Sequence, residues 1–420
     1  TVQATPPPRS LEASLEQAGD NRRELEEALQ RVPGRDMEYL ITHARQFDLA
    51  ALTADLLETN LLEARKAYTE SPLVYGKVEY EIWRDYVLPY RVLEEDLSNW
   101  RPHLRAQLLP VIQDAKTVQE AATLIFKWLH EPLEDGKRRV RFVATETRNQ
   151  NPFQLLHTRN GGCKEIHITY VCALRAVGIP ARHCTVGWWT TSDWYHYFVQ
   201  YYDSDIRDWR GIDASNTGGK DPIEWNQKHG SWHVMKAYAF PPYPSVKDID
   251  GMQRWDLCTD ITEYLCETGD LMVRFDRQGP FTIGLYTWNI GAWRLIGRTQ
   301  SNDGHPVVTK VGQTMKGRPL LVTVKAKDSE AMAIARIDSV ANSHAFQDPS
   351  ARKNDLLFDY IDNVAEKVGL EAFESVSFEY IFAFTRQLGQ IERFNLRPEL
   401  FMAWVKDAVE VRSNFSYNGG

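Results

Sequence analysis

Cys163, His196 and Asp213 follow one another along the chain, each in a setting that suits a catalytic role. A thiol, an imidazole and a carboxylate together are the equipment for acyl transfer through a thioester: one attacks, one moves protons, one holds the imidazole tautomer. Cys163 follows Asn160-Gly161-Gly162, a turn signal, and opens a run predicted as helix from Lys164 to Val177. Within it Ile166, Tyr170, Val171, Leu174 and Val177 recur at helical spacing. Gly178 then supplies a stop and Pro180 bars continuation. A thiol in the first turn of a helix meets the positive end of the dipole, which favours thiolate, the attacking form.

The other two residues fall on a predicted hairpin. Trp194 to Tyr202 is aromatic and β-branched, with polar residues alternating, and reads as a strand. Asp203-Ser204-Asp205 turns the chain, and Trp209 to Ser215 returns. With Ser204-Asp205 as the turn centre, His196 and Asp213 are equidistant from it. They would then face each other on one side of the sheet, Cβ atoms roughly 4.5–5.5 Å apart. An odd slip in register would send them to opposite faces.

Most lone cysteines are small buried hydrophobes, and Cys172, mid-helix among apolar neighbours, reads as one. Cys163 differs, with Gly-Gly before it and charged Lys164 and Glu165 after it. His167 and His183 carry no partner signal and read as surface or satisfied histidines. An acyl-transfer site also needs donors aimed at the developing oxyanion. The backbone N–H of Cys163 is one by position, and Gln150, Asn151 and Gln154 are candidates for the second.

A Cys at a helix start, then Leu174-Arg175-Ala176-Val177-Gly178-Ile179-Pro180-Ala181-Arg182, then a His-bearing aromatic strand and an Asp-bearing strand, resembles the transglutaminase-like superfamily. That group includes animal transglutaminases, peptide:N-glycanases and many bacterial papain-like hydrolases. The resemblance covers roughly residues 120 to 240. Upstream, Val87-Leu88-Pro89-Tyr90-Arg91 and Asn99-Trp100-Arg101 are similar to the helical region preceding this domain in exported bacterial members. It implies an α+β papain/transglutaminase-like core, a Cys-bearing helix packed on an antiparallel sheet, with Cys163, His196 and Asp213 as the catalytic residues. Gln150, ahead of Asn151-Pro152, resembles the position of a Gln in related bacterial sequences and is favoured as second oxyanion donor; capping a loop is its equally simple use. Tyr197-Phe198-Val199 after the His departs from the Trp or Val common in the family, which would alter a subsite more than the chemistry.

Trp188, Trp189, Trp194, Trp209, Trp225 and Trp232 crowd around these residues. Core packing is the commoner use of Trp. Trp188-Trp189 at a strand end, Trp194, and Trp232-His233 are nonetheless candidates to line a groove that excludes water and binds aromatic or sugar faces.

The elements around this module divide the chain into four. Residues 1–105 read as a Pro-rich lead (Thr1 to Arg9) followed by helices, with Leu11, Leu15, Leu25, Leu29 and Val32 on one stripe and Leu49 to Ala67 continuing the pattern. Residues 106–245 form the catalytic module, with Thr117-Val118-Gln119-Glu120 as a capping box and Lys137 to Thr147 as a strand. Residues 246–345 alternate in short strands, as in a small β-sandwich: Leu271 to Phe275, Phe281 to Trp288, Trp293 to Ile296 and Leu320 to Ala326. Residues 346–420 return to helix.

A hydrophobic fraction of 43% supports real cores, and a net charge of −8 disfavours nucleic acid or anionic membrane as partner. No run approaches ~18 consecutive apolar residues, so no membrane span is expected. The Pro-rich lead without Met looks like the trimmed start of an exported protein. The 5 cysteines are too few for a disulfide scaffold and lack zinc-site spacing, although Cys258 and Cys266 stand close enough to pair. No metal or cofactor is expected. Two function classes remain: a cysteine enzyme acting on an amide of a peptide, protein or glycopeptide, by hydrolysis as the undemanding default or by transglutaminase-type exchange, and a non-catalytic binding or scaffold protein.

Overall fold

The computed structural model describes residues 9–143, 149–188, 195–215, 236–242, 258–266 and, between 268 and 346, the strands named below. The expected C-terminal helices fall outside the described residues. The chain divides into two compact units, the first within 1–185, 197–225 and 239–259, the second within 186–196, 226–238 and 260–420.

The first unit opens with helices α1 (Leu11–Gln17), α2 (Arg22–Arg31), α3 (Arg35–Thr42), α4 (Gln46–Leu49), α5 (Ala54–Glu70), α6 (Tyr80–Tyr86), α7 (Trp100–Ile112) and α8 (Val118–His130). Two of the expected patterns shift. On α2 the buried residues are Leu25 and Ala28, followed by Val32, while Leu29 is half-exposed. The run from Leu49 is broken before Thr53, whose side chain accepts from Leu56 N and restarts the helix as α5. Thr117 caps α8 by accepting from Glu120 N, but the Glu120 carboxylate reaches Lys116 N, one residue before the position a capping box uses.

The strand expected over Lys137 to Thr147 shrinks to β1 (Arg141–Phe142), and 144–148 lie outside the described residues. β1 pairs in parallel with β2 (Asn160–Gly161), the segment leading to Cys163, after the short helix α9 (Pro152–Thr158). Helix α10 spans Cys163–Ala176, and every residue from Glu165 to Ala176 is buried. It is therefore a central helix buried on nearly all sides rather than one with a single buried face.

The segment after it explains its residues one by one. Gly178, at φ +88, donates to Arg175 O while Ile179 N donates to Leu174 O, the paired bonds of a Schellman stop. A Cβ on Gly178 would stand 2.5 Å from Ala67 O, so α5 approaches this turn as closely as a hydrogen allows. Arg175 donates to Ala181 O and Arg91 O, tying the helix end to the next strand. Pro180 O receives Tyr202 N. Arg182 donates twice to Gln200 and lies over the Trp209 ring.

Strands β3 (Ala181–Val186), β4 (His196–Asp203), β5 (Asp208–Ile212), β6 (Ala237–Ala239) and β7 (Thr259–Asp260) form one sheet in the order β5-β4-β3-β6-β7. β4 and β5 are antiparallel, with Asp203 facing Asp208 and Val199 facing Ile212. The second unit adds a four-stranded sheet, β10 (Ala292–Ser301), β9 (Phe281–Asn289), β12 (Pro319–Lys325) and β13 (Glu330–Arg336), and a three-stranded one, β11 (Val307–Gly312), β8 (Thr268–Phe275) and β14 (Asn342–Phe346). The described residues thus build an α+β protein, with helices preceding an antiparallel sheet in the first unit.

Candidate active site

The loop ahead of Cys163 is built by local hydrogen bonds. Asn151 and Gln154 close a capping box on α9, each side chain accepting from the other's backbone N–H, and Pro152 takes the first helical position. The cap engages only the side-chain oxygens of these two oxyanion candidates; of their amide nitrogens, that of Gln154 donates to Asp96 Oδ2 at 2.9 Å. Gln150 bridges the loop: its Nε2 donates to Asn160 O at 3.0 Å and its Oε1 accepts from Thr158 Oγ1 at 2.7 Å. One of its two amide hydrogens is left over. Gly161 has no room for a side chain, since a Cβ would meet Leu155 Cδ1 at 2.5 Å and Glu165 Cβ at 3.2 Å.

Cys163 is the first residue of α10, with Gly162 as N-cap. Glu165 accepts from Gly162 N at 3.0 Å, placing a carboxylate at the positive end of the helix. Lys164 reaches Asn149 Oδ1 at 2.7 Å and Glu94 at 3.7 Å. No disulfide joins any of the five cysteines, which sets aside the Cys258–Cys266 pairing. Cys163 is half-buried, whereas Cys172 and Cys184 are fully enclosed; burial pushes the Cys172 thiol well up and that of Cys184 to about 12.

His196 opens β4 and is half-buried; Asp213 is the first residue beyond β5 and is buried. The expected register needs a correction. The turn between the strands is four residues long, Ser204 to Arg207, with Arg207 at φ +55, so the facing pairs move by two positions. A shift of two preserves which face a side chain occupies. The cause is local: Asp203 Oδ1 accepts from Asp205 N, and Arg210 donates to Asp203 Oδ2, which keeps Asp203 inside the strand rather than in the turn.

Two residues read as bland are central here. His167, far from being a surface histidine, is fully buried, with Nε2 3.2 Å from Asp213 Oδ1 and 2.9 Å from Ala214 N. His183 is equally buried, beside Tyr197, Phe240 and His167, with the Lys164 backbone near its ring. Burial, with His167 and Lys164 nearby, holds its pKa well below the ordinary histidine range. His130, at the end of α8, bonds Ala214 O at 2.8 Å. The signal for His167 was its place four residues after Cys163, hence on the same helical face; nothing in the sequence pointed to His130.

Of the tryptophans, Trp188 is half-buried, packed edge-on against Tyr195 with Arg294 over its ring. Trp209 packs among Tyr86, Tyr202 and Arg182. Trp189, Trp194, Trp225 and Trp232 lie outside the described residues. Among the described residues no cluster of three His, Cys, Asp or Glu could hold a metal ion, and no helix is long and apolar enough to cross a membrane.

Residues 106–214, which contain all three candidate catalytic residues, match the transglutaminase-like superfamily. That segment is similar to the superfamily, whose members are cysteine-dependent enzymes. Similar solved structures include a candidate cysteine protease from Cytophaga hutchinsonii (18% identity, 38% of this chain and 49% of that one, TM-score 0.28). The periplasmic domain of TgpA from Pseudomonas aeruginosa is 21% identical over 34% of this chain and 51% of that one, TM-score 0.25. Red sea bream transglutaminase is 10% identical over 57% of this chain and 58% of that one, TM-score 0.25. The chain thus spans about half the length of these proteins. Among curated proteins none matches it.

Proposed function

We propose that the protein is a thiol-dependent acyl-transfer enzyme that cleaves an amide bond of a peptide or glycopeptide, with Cys163 as nucleophile, His196 as acid–base and Asp213 as the carboxylate that orients the imidazole. The observation that carries the reading is the position of Cys163: half-buried, at the first residue of a buried helix, with the Asp213 carboxylate 3.2 Å from the imidazole of His167, one turn further along.

The Cys163 sulfur would add to the amide carbonyl, forming a C–S bond. Its proton passes to His196, which delivers it to the nitrogen as the C–N bond breaks and the amine leaves. Water then adds to the thioester with His196 taking its proton, and collapse releases the carboxylic acid and restores the thiol. The N–H groups of the first turn of α10 have no intrahelical acceptor, so that of Cys163 is available to the oxyanion. The remaining Gln150 amide hydrogen is the second donor in this reading. Water is the default acceptor; an amine in its place gives transglutaminase-type exchange from the same thioester. Trp188, Trp189, Trp194 and Trp232 are proposed to line the acyl groove, and the β8–β14 strands to form an accessory β-sandwich.

The test is an activity profile with peptides, a Gln peptide plus a primary amine, and glycopeptides, on wild type and on Cys163→Ser. Hydrolysis confined to wild type, with iodoacetamide at neutral pH labelling Cys163 far ahead of Cys172 and Cys184, is the expected result. Turnover that survives in Cys163→Ser sinks the assignment, and no turnover with any substrate favours a binding protein.

A further inference from the structure

His167 stands one turn after Cys163 on α10 and has no exposed surface. Its Nε2 lies 2.9 Å from Ala214 N and 3.2 Å from Ser215 N, both oriented as donors. A neutral imidazole has one donor and one acceptor nitrogen. A nitrogen that receives two backbone N–H groups is the acceptor, which assigns the proton to Nδ1. The 3.2 Å approach of Nε2 to Asp213 Oδ1 is then a meeting of two acceptors around shared donors. Ser215 reconciles them, giving Oδ1 its N–H at 3.0 Å and its hydroxyl at 2.7 Å. Ala214 O is taken from the other side by His130 of α8. The turn that carries Asp213 is thereby held at its N–H groups by α10 and at its carbonyl by α8.

We propose that His167 is a positioning residue: as a hydrogen-bond acceptor it fixes the Asp213 turn to the helix that carries Cys163, so that nucleophile and carboxylate are set by the ~6 Å rise of four residues in one helix. This rests on the roles given to Cys163 and Asp213 above. A packing role predicts something different. Among the groups that face His167 are Asp213, Ser215 and Ala214 from the turn, and His183 from β3, its ring centre 6.1 Å away. A side chain of similar volume without an acceptor would satisfy packing yet leave the buried Ala214 N–H unpaired, while Ser215 N–H keeps Asp213 Oδ1, and a buried unpaired donor moves to find a partner.

The variants that separate the two are His167→Phe, which fills the space without accepting, and His167→Gln, which packs less well but brings an amide oxygen near the place of Nε2. Both are assayed in the full chain with p-nitrophenyl acetate, a generic acyl donor, for kcat and KM, alongside thermal midpoints. The expected result is a kcat lowered roughly 10–100-fold in His167→Phe with KM within about two-fold, as for other residues that orient a catalytic group. His167→Gln should recover most of the loss whichever variant is the more stable. Activity that follows the thermal midpoint, or a Phe variant as active as wild type, overturns the proposal. If His167→Phe does not fold, His167→Gln still decides: turnover below a tenth of wild type in a folded protein goes against the acceptor role. Turnover that survives in Cys163→Ala removes both this proposal and the reading beneath it, whereas an inactive Cys163→Ala beside a fully active His167→Phe removes this proposal alone.

Discussion

Replacing Arg101 with Met should loosen the packing that holds α10, and the structure sets the size of the effect. The Arg101 guanidinium is buried and spends its donors on Asn60 Oδ1 (2.9 Å), Arg175 O (3.0 Å), Val87 O (2.7 Å), Leu88 O (3.3 Å) and Pro89 O (3.1 Å). Two of these acceptors keep a second donor, since Asn60 also bonds Leu88 O and Gly178 N bonds Arg175 O. Val87 O, Pro89 O and Asn60 Oδ1 lose their Arg101 donor. At about 1–3 kcal/mol for each buried acceptor left unmet, and with the relief of no longer burying a charge set against that, a net loss of about 3 kcal/mol follows. For a unit of 150–250 residues this is a fall of about 6–12 °C in the midpoint. Thermal unfolding followed by near-ultraviolet circular dichroism is the assay, because the Arg101 guanidinium lies over the Trp100 ring and reports on its own site. Arg101→Lys should fall between the two, since a point charge cannot serve a fan of carbonyls. A drop below about 2 °C in Arg101→Met, or a Lys variant as stable as wild type, would refute the reasoning.

Gly178→Ala should cost more than about 2 kcal/mol in denaturant titrations, because φ +88 penalises any Cβ and this one meets the backbone oxygen of Ala67; a neutral result means α5 can retreat. Asp213→Asn should lower kcat at least about 100-fold with the fold unchanged, by the tautomer effect seen in serine triads; an active Asn variant would free Asp213 of its role. Stability should decline in acid through His183. Its folded pKa is depressed, so below about pH 6.5 the unfolded chain binds a proton the native state refuses, and the native state loses up to about 1.4 kcal/mol per pH unit. His183→Phe should flatten the fall of the thermal midpoint between pH 7 and 5; parallel curves for the two proteins would show that the ring, set among His167, Lys164, Tyr197 and Phe240, is not the group responsible.

The α10 helix was legible because its ends are written in residue types: Gly162 before it, Gly178 and Pro180 after it. Its depth was not. Glu165, His167, Thr169 and Arg175 look like a polar face, and only the tertiary partners of three of them, Gly162 N, the Asp213 turn and the Ala181 and Arg91 carbonyls, let them be buried. The hairpin was legible in its two strands and not in its register, because Asp203 reads as a turn residue until its bond to Arg210 is seen. The Lys137–Thr147 run alternates like a strand, but its backbone turns back on itself at Leu133–Lys137 and, after a single antiparallel bridge between Pro132 and Arg138, reaches a ladder only at Arg141. In the second unit the strands with Gly, Asn and Asp turns were readable; β11, β13 and β14 were missed, β13 for its alanine-rich sequence.

Arg101 bears on how such an enzyme can be inherited. The segment that matches the superfamily begins at residue 106, inside α7 and past Arg101. A crossover at that point would carry Cys163, His196 and Asp213 into a new gene but leave behind the guanidinium that meets Arg175 O and the α5 backbone that fits Gly178. The recipient would hold all three proposed catalytic residues and no frame to set them. The smallest piece of this chain that can be exchanged between proteins therefore starts well before the smallest piece that can be recognised.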